Sequence, residues 1–158
     1  MTSAREEFAR QEAELDELYR EIILDHYRSP RNRGRLPAPS VRREGLNPLC
    51  GDEIQIDLAI QDGVIRDVRF QGRGCSISQS SASMMTEAVK GLPLDRAEAL
   101  FASFREMMQG SEGVDPAALG DLEALTGVRK FPVRVKCATL AWHTLEEAIG
   151  ALRKGEAN

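Results

Sequence analysis

The stretch Ile54-Gln55-Ile56-Asp57-Leu58-Ala59-Ile60-Gln61-Asp62-Gly63-Val64-Ile65-Arg66-Asp67-Val68-Arg69-Phe70-Gln71 decides the fold class. Ile54, Ile56, Leu58 and Ile60 alternate with Gln55, Asp57, Ala59 and Gln61, the period of a half-buried strand. Asp62-Gly63 follows, the strongest short hairpin signal because both positions accept a positive φ. Val64 to Gln71 returns as the second strand, with Val68 and Phe70 on one face. Arg66 breaks the alternation and leaves the register of that strand open. A weaker strand covers Val41 to Leu46.

On both sides of the hairpin the apolar period becomes helical. Leu15, Leu18, Tyr19, Ile22 and Ile23 form one stripe of a helix running to about Tyr27. It stops at Ser29-Pro30, since a residue before proline avoids the helical region. Ser29 to Pro39, rich in Arg, Pro and Gly, is loop. Ile77, Met84, Met85, Ala88 and Leu92 mark a helix that starts just after Cys75 and ends at Gly91. Ala97, Leu100, Phe101, Phe104 and Met108 mark another. Asp115-Pro116 opens a short helix through Leu125. Pro132 precedes the last helix, which turns Leu140, Ala141, Leu145, Ala148, Ile149 and Leu152 inward. The fold class is therefore α+β: a small antiparallel three-stranded sheet packed against about five helices, in one domain spanning residues 1–158.

The net charge is −4. An acidic balance argues against a nucleic-acid partner, which needs a surplus of Lys and Arg on one face. No run approaches 18 apolar residues, so no membrane span is expected. Met1 to Leu15 carries charges of both signs and no apolar core, so it does not read as a signal peptide, and the expected location is cytoplasmic. Glu6 to Glu17 reads as a solvated helix face.

Cys50, Cys75 and Cys137 are the three cysteines. An odd, widely spaced set without an export signal is not a disulfide framework. Each lies at a structural boundary. Cys50 is in the loop Pro48-Leu49-Cys50-Gly51-Asp52, Cys75 ends the turn Gly72-Arg73-Gly74-Cys75, and Cys137 opens the final helix. A helix N-terminus favours an anion, so Cys75 and Cys137 are expected to have depressed thiol pKa values. Asp52 lies two residues from Cys50, and Gly51 can take the φ > 0 that turns both side chains toward one atom. Three sulfurs and one carboxylate oxygen match tetrahedral zinc, with Zn–S near ~2.3 Å. The carboxylate is the harder ligand for this borderline-soft ion, so such a site can open without losing the metal. The wide ligand spacing is less specific than paired CxxC knuckles.

Other polar residues read as structural. His143, six residues after Cys137, lies roughly 240° around the helix and faces away from it. His26 is a helix-end residue satisfied by hydrogen bonds. Met84, Met85, Met107 and Met108 are core filler. Gly72 and Gly74 lack the rest of any phosphate-binding motif and are expected to let the backbone approach a metal. Arg28, Arg31, Arg33 and Arg35 form either a docking surface or a solvated loop, and Lys136 faces either a thiolate or solvent. No HExxH-like pair supports a zinc hydrolase.

From Leu18 to about Leu152 the chain resembles the IscU/NifU N-terminal family of iron–sulfur assembly proteins. The matching pieces are Tyr19 to Gly34 (YREIILDHYRSPRNRG), Asn47 to Glu53 (NPLCGDE), Gly72 to Ser78 (GRGCSIS) and Val135 to Leu140 (VKCATL). Within the family it looks like the SufU branch. Lys136 stands where IscU proteins carry His before the third cysteine. A helical segment, Leu94 to roughly Gly113, fits an insertion characteristic of that branch, and residues 1 to about 15 form an N-terminal helical extension. The Leu-Pro-Pro-Val-Lys chaperone motif of IscU is degraded to Lys130-Phe131-Pro132-Val133-Arg134.

The resemblance implies zinc held by Cys50, Asp52, Cys75 and Cys137, and a pyridoxal-phosphate-dependent cysteine desulfurase of the SufS type as partner. It implies that Cys50, held quiet by zinc until a docked partner offers a competing ligand, attacks the terminal sulfur of the partner's persulfide. Cys50 then passes the sulfur to a downstream Suf scaffold or apo-protein. Cys137 is the runner-up as sulfur acceptor. The alternative is a scaffold on which the same ligands hold iron or a [2Fe-2S] cluster; a third reading is a zinc-stabilised interaction module without chemistry.

Overall fold

The computed structural model describes residues 3–110 and 116–155. Val41–Asn47 (β1), Asp52–Gln61 (β2) and Val64–Arg73 (β3) form one antiparallel sheet in the order β1-β2-β3. The Asp62-Gly63 turn has φ of 54° and 73°, both left-handed as a type I′ hairpin requires. The interrupted alternation around Arg66 has a structural counterpart. The β2–β3 register shifts between Ala59 and Ile60, so Ala59 pairs with Asp67 but Ile60 with Ile65, leaving Arg66 without a partner opposite.

The helices are Ala4–Arg28 (α1), Ser76–Val89 (α2), Leu94–Met108 (α3) and Pro132–Arg153 (α4), with a 3₁₀ segment over Pro116–Lys130. α1 extends the expected apolar helix back to Ala4, and Ser3 caps it by accepting the Glu6 N–H at 3.2 Å. The charged first turns are exposed, as a solvated face should be. The expected helix through Leu125 is instead a longer 3₁₀ run, broken at Gly120 where φ is 60° and ψ is −134°. Its expected cap, Asp115, and residues 111–113 of the expected insertion lie outside the described residues.

The inner sheet face supplies Val41, Ile54, Ile56, Leu58, Ile65, Val68 and Phe70 to the core, against Met84, Met85, Phe104, Trp142 and Leu145 from the helices. Met107 and Met108 are buried too, so these two fill core space with Met84 and Met85. Gly45 lets α4 approach β1. A Cβ there would stand 2.1 Å from Thr144 Oγ1. This close contact brings Cys137 on α4 beneath the end of β1.

The outer sheet face is partly covered by the loop after α1. Asp57 is buried, receives the Leu36 N–H at 2.9 Å, and is gripped by Arg42 at 2.7 Å and 3.0 Å. Burial alone would raise the Asp57 carboxyl pKa, but the Arg42 guanidinium and Leu36 N–H outweigh it and hold the pKa below the ordinary carboxylate range. Of the arginine cluster, Arg31 pairs with Asp25 at 2.6 Å and Arg33 donates to the Gly72 carbonyl at 3.4 Å, so these two are engaged in the loop's own structure. Among the described residues, no helix is long and apolar enough to cross a membrane.

Candidate metal centre

Three local structures converge at one end of the sheet. The first is the tight turn between β1 and β2, where the Cys50 N–H donates to the Asn47 carbonyl at 3.2 Å and Gly51 takes φ of 67°. The ladder across that turn pairs Asn47 with Asp52. The second is the exit of β3, where Cys75 forms the N-cap of α2. The third is the second turn of α4, which carries Cys137.

Cys50 Sγ, a carboxylate oxygen of Asp52 and Cys137 Sγ all lie within 4.8 Å of one another. A tetrahedral zinc with bonds of about 2.1–2.3 Å separates its ligand atoms by roughly 3.5–3.8 Å, so these three donors fit one ion with small side-chain movement. Cys75 is not part of that threesome. It is tied to the group through its backbone, whose N–H Asp52 accepts. Sequence reasoning brought four ligands together; the structure gathers three and leaves the fourth beside them.

Asp52 is the best anchored of the set. It is 1% exposed. Its Oδ1 accepts the Cys75 N–H at 2.9 Å, and its Oδ2 faces Asn47 Nδ2 at 3.4 Å. Asn47 also reaches Cys137 Sγ at 3.6 Å, so one buried amide spans two of the converging groups. The reason for the glycine at position 74 also differs from expectation. A Cβ there would stand 2.3 Å from Asp52 Oδ1 and 2.9 Å from Ser78 Oγ. The glycine makes room for the Asp52 carboxylate. Gly72 likewise admits the β2 backbone, since its Cβ would stand 2.0 Å from the Glu53 carbonyl oxygen.

The expected low pKa of Cys137 is wrong. α4 begins at Pro132, so Cys137 lies one turn past the free N–H groups, and it is 0% exposed. Burial pushes its thiol up, and hydrogen bonds with Cys50, Asp52 and Cys75 add to the rise. Cys50 and Cys75 are half-buried and therefore within reach of solvent.

Two residues at the site escaped the sequence reading as functional. Asn47 was quoted only inside a motif; its place opposite Asp52 follows from the four-residue turn between the strands. Arg134 stands in the sequence only as the end of the degraded motif. The charges of Cys75 and then Cys137 hold its guanidinium proton more tightly. Its spacing of three residues from Cys137 on a helix is the signal that would have found it.

The two histidines behave as the spacing implies. His143 is exposed and packs edge-on to Phe101 with centroids 5.3 Å apart. His26 is buried between Ser83 Oγ at 2.8 Å and Asp121 Oδ2 at 2.9 Å. Lys136 is exposed.

The NifU-like N terminal domain matches residues 18–138. The chain belongs to that family. Among NifU-like relatives, the zinc-dependent sulfurtransferase SufU of Bacillus subtilis is 49% identical over 137 residues, covering 87% of this chain and 92% of the relative. The iron–sulfur cluster assembly scaffold protein IscU of Streptococcus pyogenes is 43% identical, covering 87% and 86%. A crystal structure from Fervidobacterium islandicum, of a protein named as a SUF-system iron–sulfur cluster assembly scaffold, superposes with a TM-score of 0.77 at 35% identity, covering 81% of this chain and 93% of that one. The NifU-like architecture is the three-stranded sheet with its surrounding helices, and its α+β class agrees with the hairpin reading.

Proposed function

We propose that this chain is a zinc-dependent sulfur carrier for iron–sulfur cluster assembly, receiving persulfide sulfur from a SufS-type cysteine desulfurase. Cys50, Asp52 and Cys137 would hold the ion, with Cys75 completing the set. When bound, zinc would keep the thiols deprotonated. The observation that carries the reading is the unequal burial and anchoring of the donors. Cys137 is fully buried on a helix and Asp52 is pinned by the Cys75 N–H, whereas Cys50 is half-buried on a four-residue turn beside Gly51.

Cys50 is therefore the sulfur acceptor. Its thiolate attacks the terminal sulfur of the donor persulfide. A new S–S bond forms to Cys50, the donor's S–S bond breaks, and the donor cysteine leaves as a thiolate, with no net oxidation. The same exchange in reverse sense hands the sulfur to a downstream scaffold or apo-protein. The buried Cys137 lacks the access that attack on a partner's sulfur requires.

A second reading, assembly of a [2Fe-2S] cluster on the same ligands, is favoured by the scaffold names of the IscU relatives. Metal content together with desulfurase stimulation tests the two. Zinc in the purified protein without visible-light cluster absorption, and faster sulfide release from the desulfurase, are expected of the carrier. A coloured cluster with no stimulation supports the scaffold.

A further inference from the structure

We propose that the amino-terminal half of α1 is a binding helix, one strand of a two-helix coiled coil. The other strand is an amphipathic helix of a partner protein, with an apolar seam flanked by Lys and Arg. This contact uses none of the metal ligands and goes beyond the carrier reading.

α1 runs for 25 residues. Its carboxy-terminal half lies on the body, where Tyr19, Ile22 and Ile23 pack against the core and His26 is buried. Every described side chain from Ser3 to Leu18 is exposed, Leu18 by 56%. The NifU-like match begins at residue 18, so this exposed part is an addition to the shared domain. Fourteen residues at the α-helical rise span roughly 21 Å. A lone helix of that length is marginal in water and gains most from packing on another surface. Along it, Ala4, Phe8, Gln11, Leu15, Leu18 and Ile22 follow one another at intervals of 4, 3, 4, 3 and 4 residues. That spacing is the a/d seam of a coiled coil, and Gln11 is a polar seam position of the kind that fixes register. Ile22 ends the seam against the core, whereas Leu18, the next seam position, is already exposed. An apolar seam on an exposed helix marks a face that is covered in use.

Charge decides which helix fits. Between Ala4 and Glu21 there are seven acids and three arginines, so this stretch alone matches the net charge of −4 of the whole chain. The positions that flank the seam are Glu7, Glu14 and Glu21 on one side, and Arg5, Glu12 and Tyr19 on the other. In a coiled coil these flanks meet those of the partner and set its identity. A second copy of this chain would bring acids against acids, which opposes self-pairing. A helix with the same apolar period and Lys or Arg at its flanks meets both the seam and its charge. The acids also support the helix before it is paired. Glu6 and Asp16 stand four residues ahead of Arg10 and Arg20, the favourable order for such pairs.

The test is binding of fluorescent peptides of about three heptads to the full chain, read as anisotropy. One peptide carries Leu at the a and d positions and Lys at e and g. A second carries Glu at e and g, and a third scrambles the order of the first. The chain should bind the Lys peptide one to one, and the other two about tenfold or more weakly. Leu15→Gln/Leu18→Gln keeps good helix formers but interrupts the seam, and should weaken the Lys peptide about tenfold or more. Glu14→Lys/Glu21→Lys should shift the preference toward the Glu peptide. Circular dichroism and thermal melting show that each variant is intact. Equal binding of the Lys and scrambled peptides, or unchanged binding by Leu15→Gln/Leu18→Gln, would reduce the stretch to an acidic surface and overturn the proposal. Failure of the chain to bind the Lys peptide would overturn it as well. A chain that self-associates, and becomes monomeric in Leu15→Gln/Leu18→Gln, would assign the seam to a second copy and likewise overturn it.

Discussion

Asp52 Oδ1 accepts the backbone N–H of Cys75 at 2.9 Å, joining the first residue of β2 to the N-cap of α2. One carboxylate thus fixes the relative position of two segments that each carry a cysteine. Its other oxygen faces Asn47 and the converging donors. The acid therefore has two separable roles, a structural one through Oδ1 and a charge-bearing one.

Asp52→Asn keeps an oxygen that can accept the Cys75 N–H but removes the charge. In zinc-free protein it should melt near wild type, and it should lose zinc affinity. Asp52→Ala removes both, leaves a buried N–H without a partner, and should lose about 1–3 kcal/mol of stability as well. Thermal melts and competition with a chromophoric chelator separate the two variants. Equal melting of Asn and Ala variants would show that the Oδ1 contact is inconsequential.

Gly74→Ala places a methyl group against Asp52 and Ser78 in a backbone of φ 151°, whereas Gly34→Ala, at φ 135°, meets nothing within 4 Å. Both variants carry backbone strain. Only Gly74→Ala should also weaken zinc binding, by about 10–100-fold, because it displaces the proposed ligand Asp52. Equal zinc affinities in the two would contradict the packing described around Asp52.

Asn47→Ala removes the amide that faces both Asp52 and Cys137. Zinc affinity should fall about tenfold or more while the sheet persists, as a lost supporting hydrogen bond commonly does. Asn47→Asp should be worse than Ala, because it adds a negative charge beside thiolates and a carboxylate. Chelator competition at constant pH measures both.

The Arg42–Asp57 pair gives the clearest dependence of stability on pH. The Asp57 pKa is lower in the folded chain than the unfolded value of about 3.9. Its contribution is therefore fully present above that value and is lost as pH falls through the lower folded pKa. Arg42→Ala leaves the buried carboxylate without its cation and should lower stability at neutral pH. The difference from wild type should shrink in acid, where Asp57 is neutral in both. Urea denaturation at neutral pH and in acid checks the sign, and a difference that grows in acid would contradict it.

The sheet was legible because its hairpin is local. Alternating isoleucines and Asp62-Gly63 specify pairing without help from distant residues, and even the disturbance at Arg66 marks the shifted register. Capping and helix boundaries were less legible, since the Pro116–Lys130 segment is set by packing against α1 and α3 rather than by its own period. At the metal centre, the identity of the donors follows from residue type and resemblance. Their environment does not. That Cys137 is buried with a raised pKa depends on how closely α4 packs on Gly45, and that Gly74 accommodates Asp52 depends on the β2–β3 register. Asn47 and Arg134 become visible only once a strand pair and a helix turn have been assigned.

Mass spectrometry of the intact, zinc-loaded chain after incubation with a SufS-type desulfurase and cysteine tests the central claim most directly. The account predicts one added, thiol-reducible sulfur in wild type and none in Cys50→Ala, which should remain folded. Undiminished loading of Cys50→Ala would contradict it and move the acceptor to another cysteine.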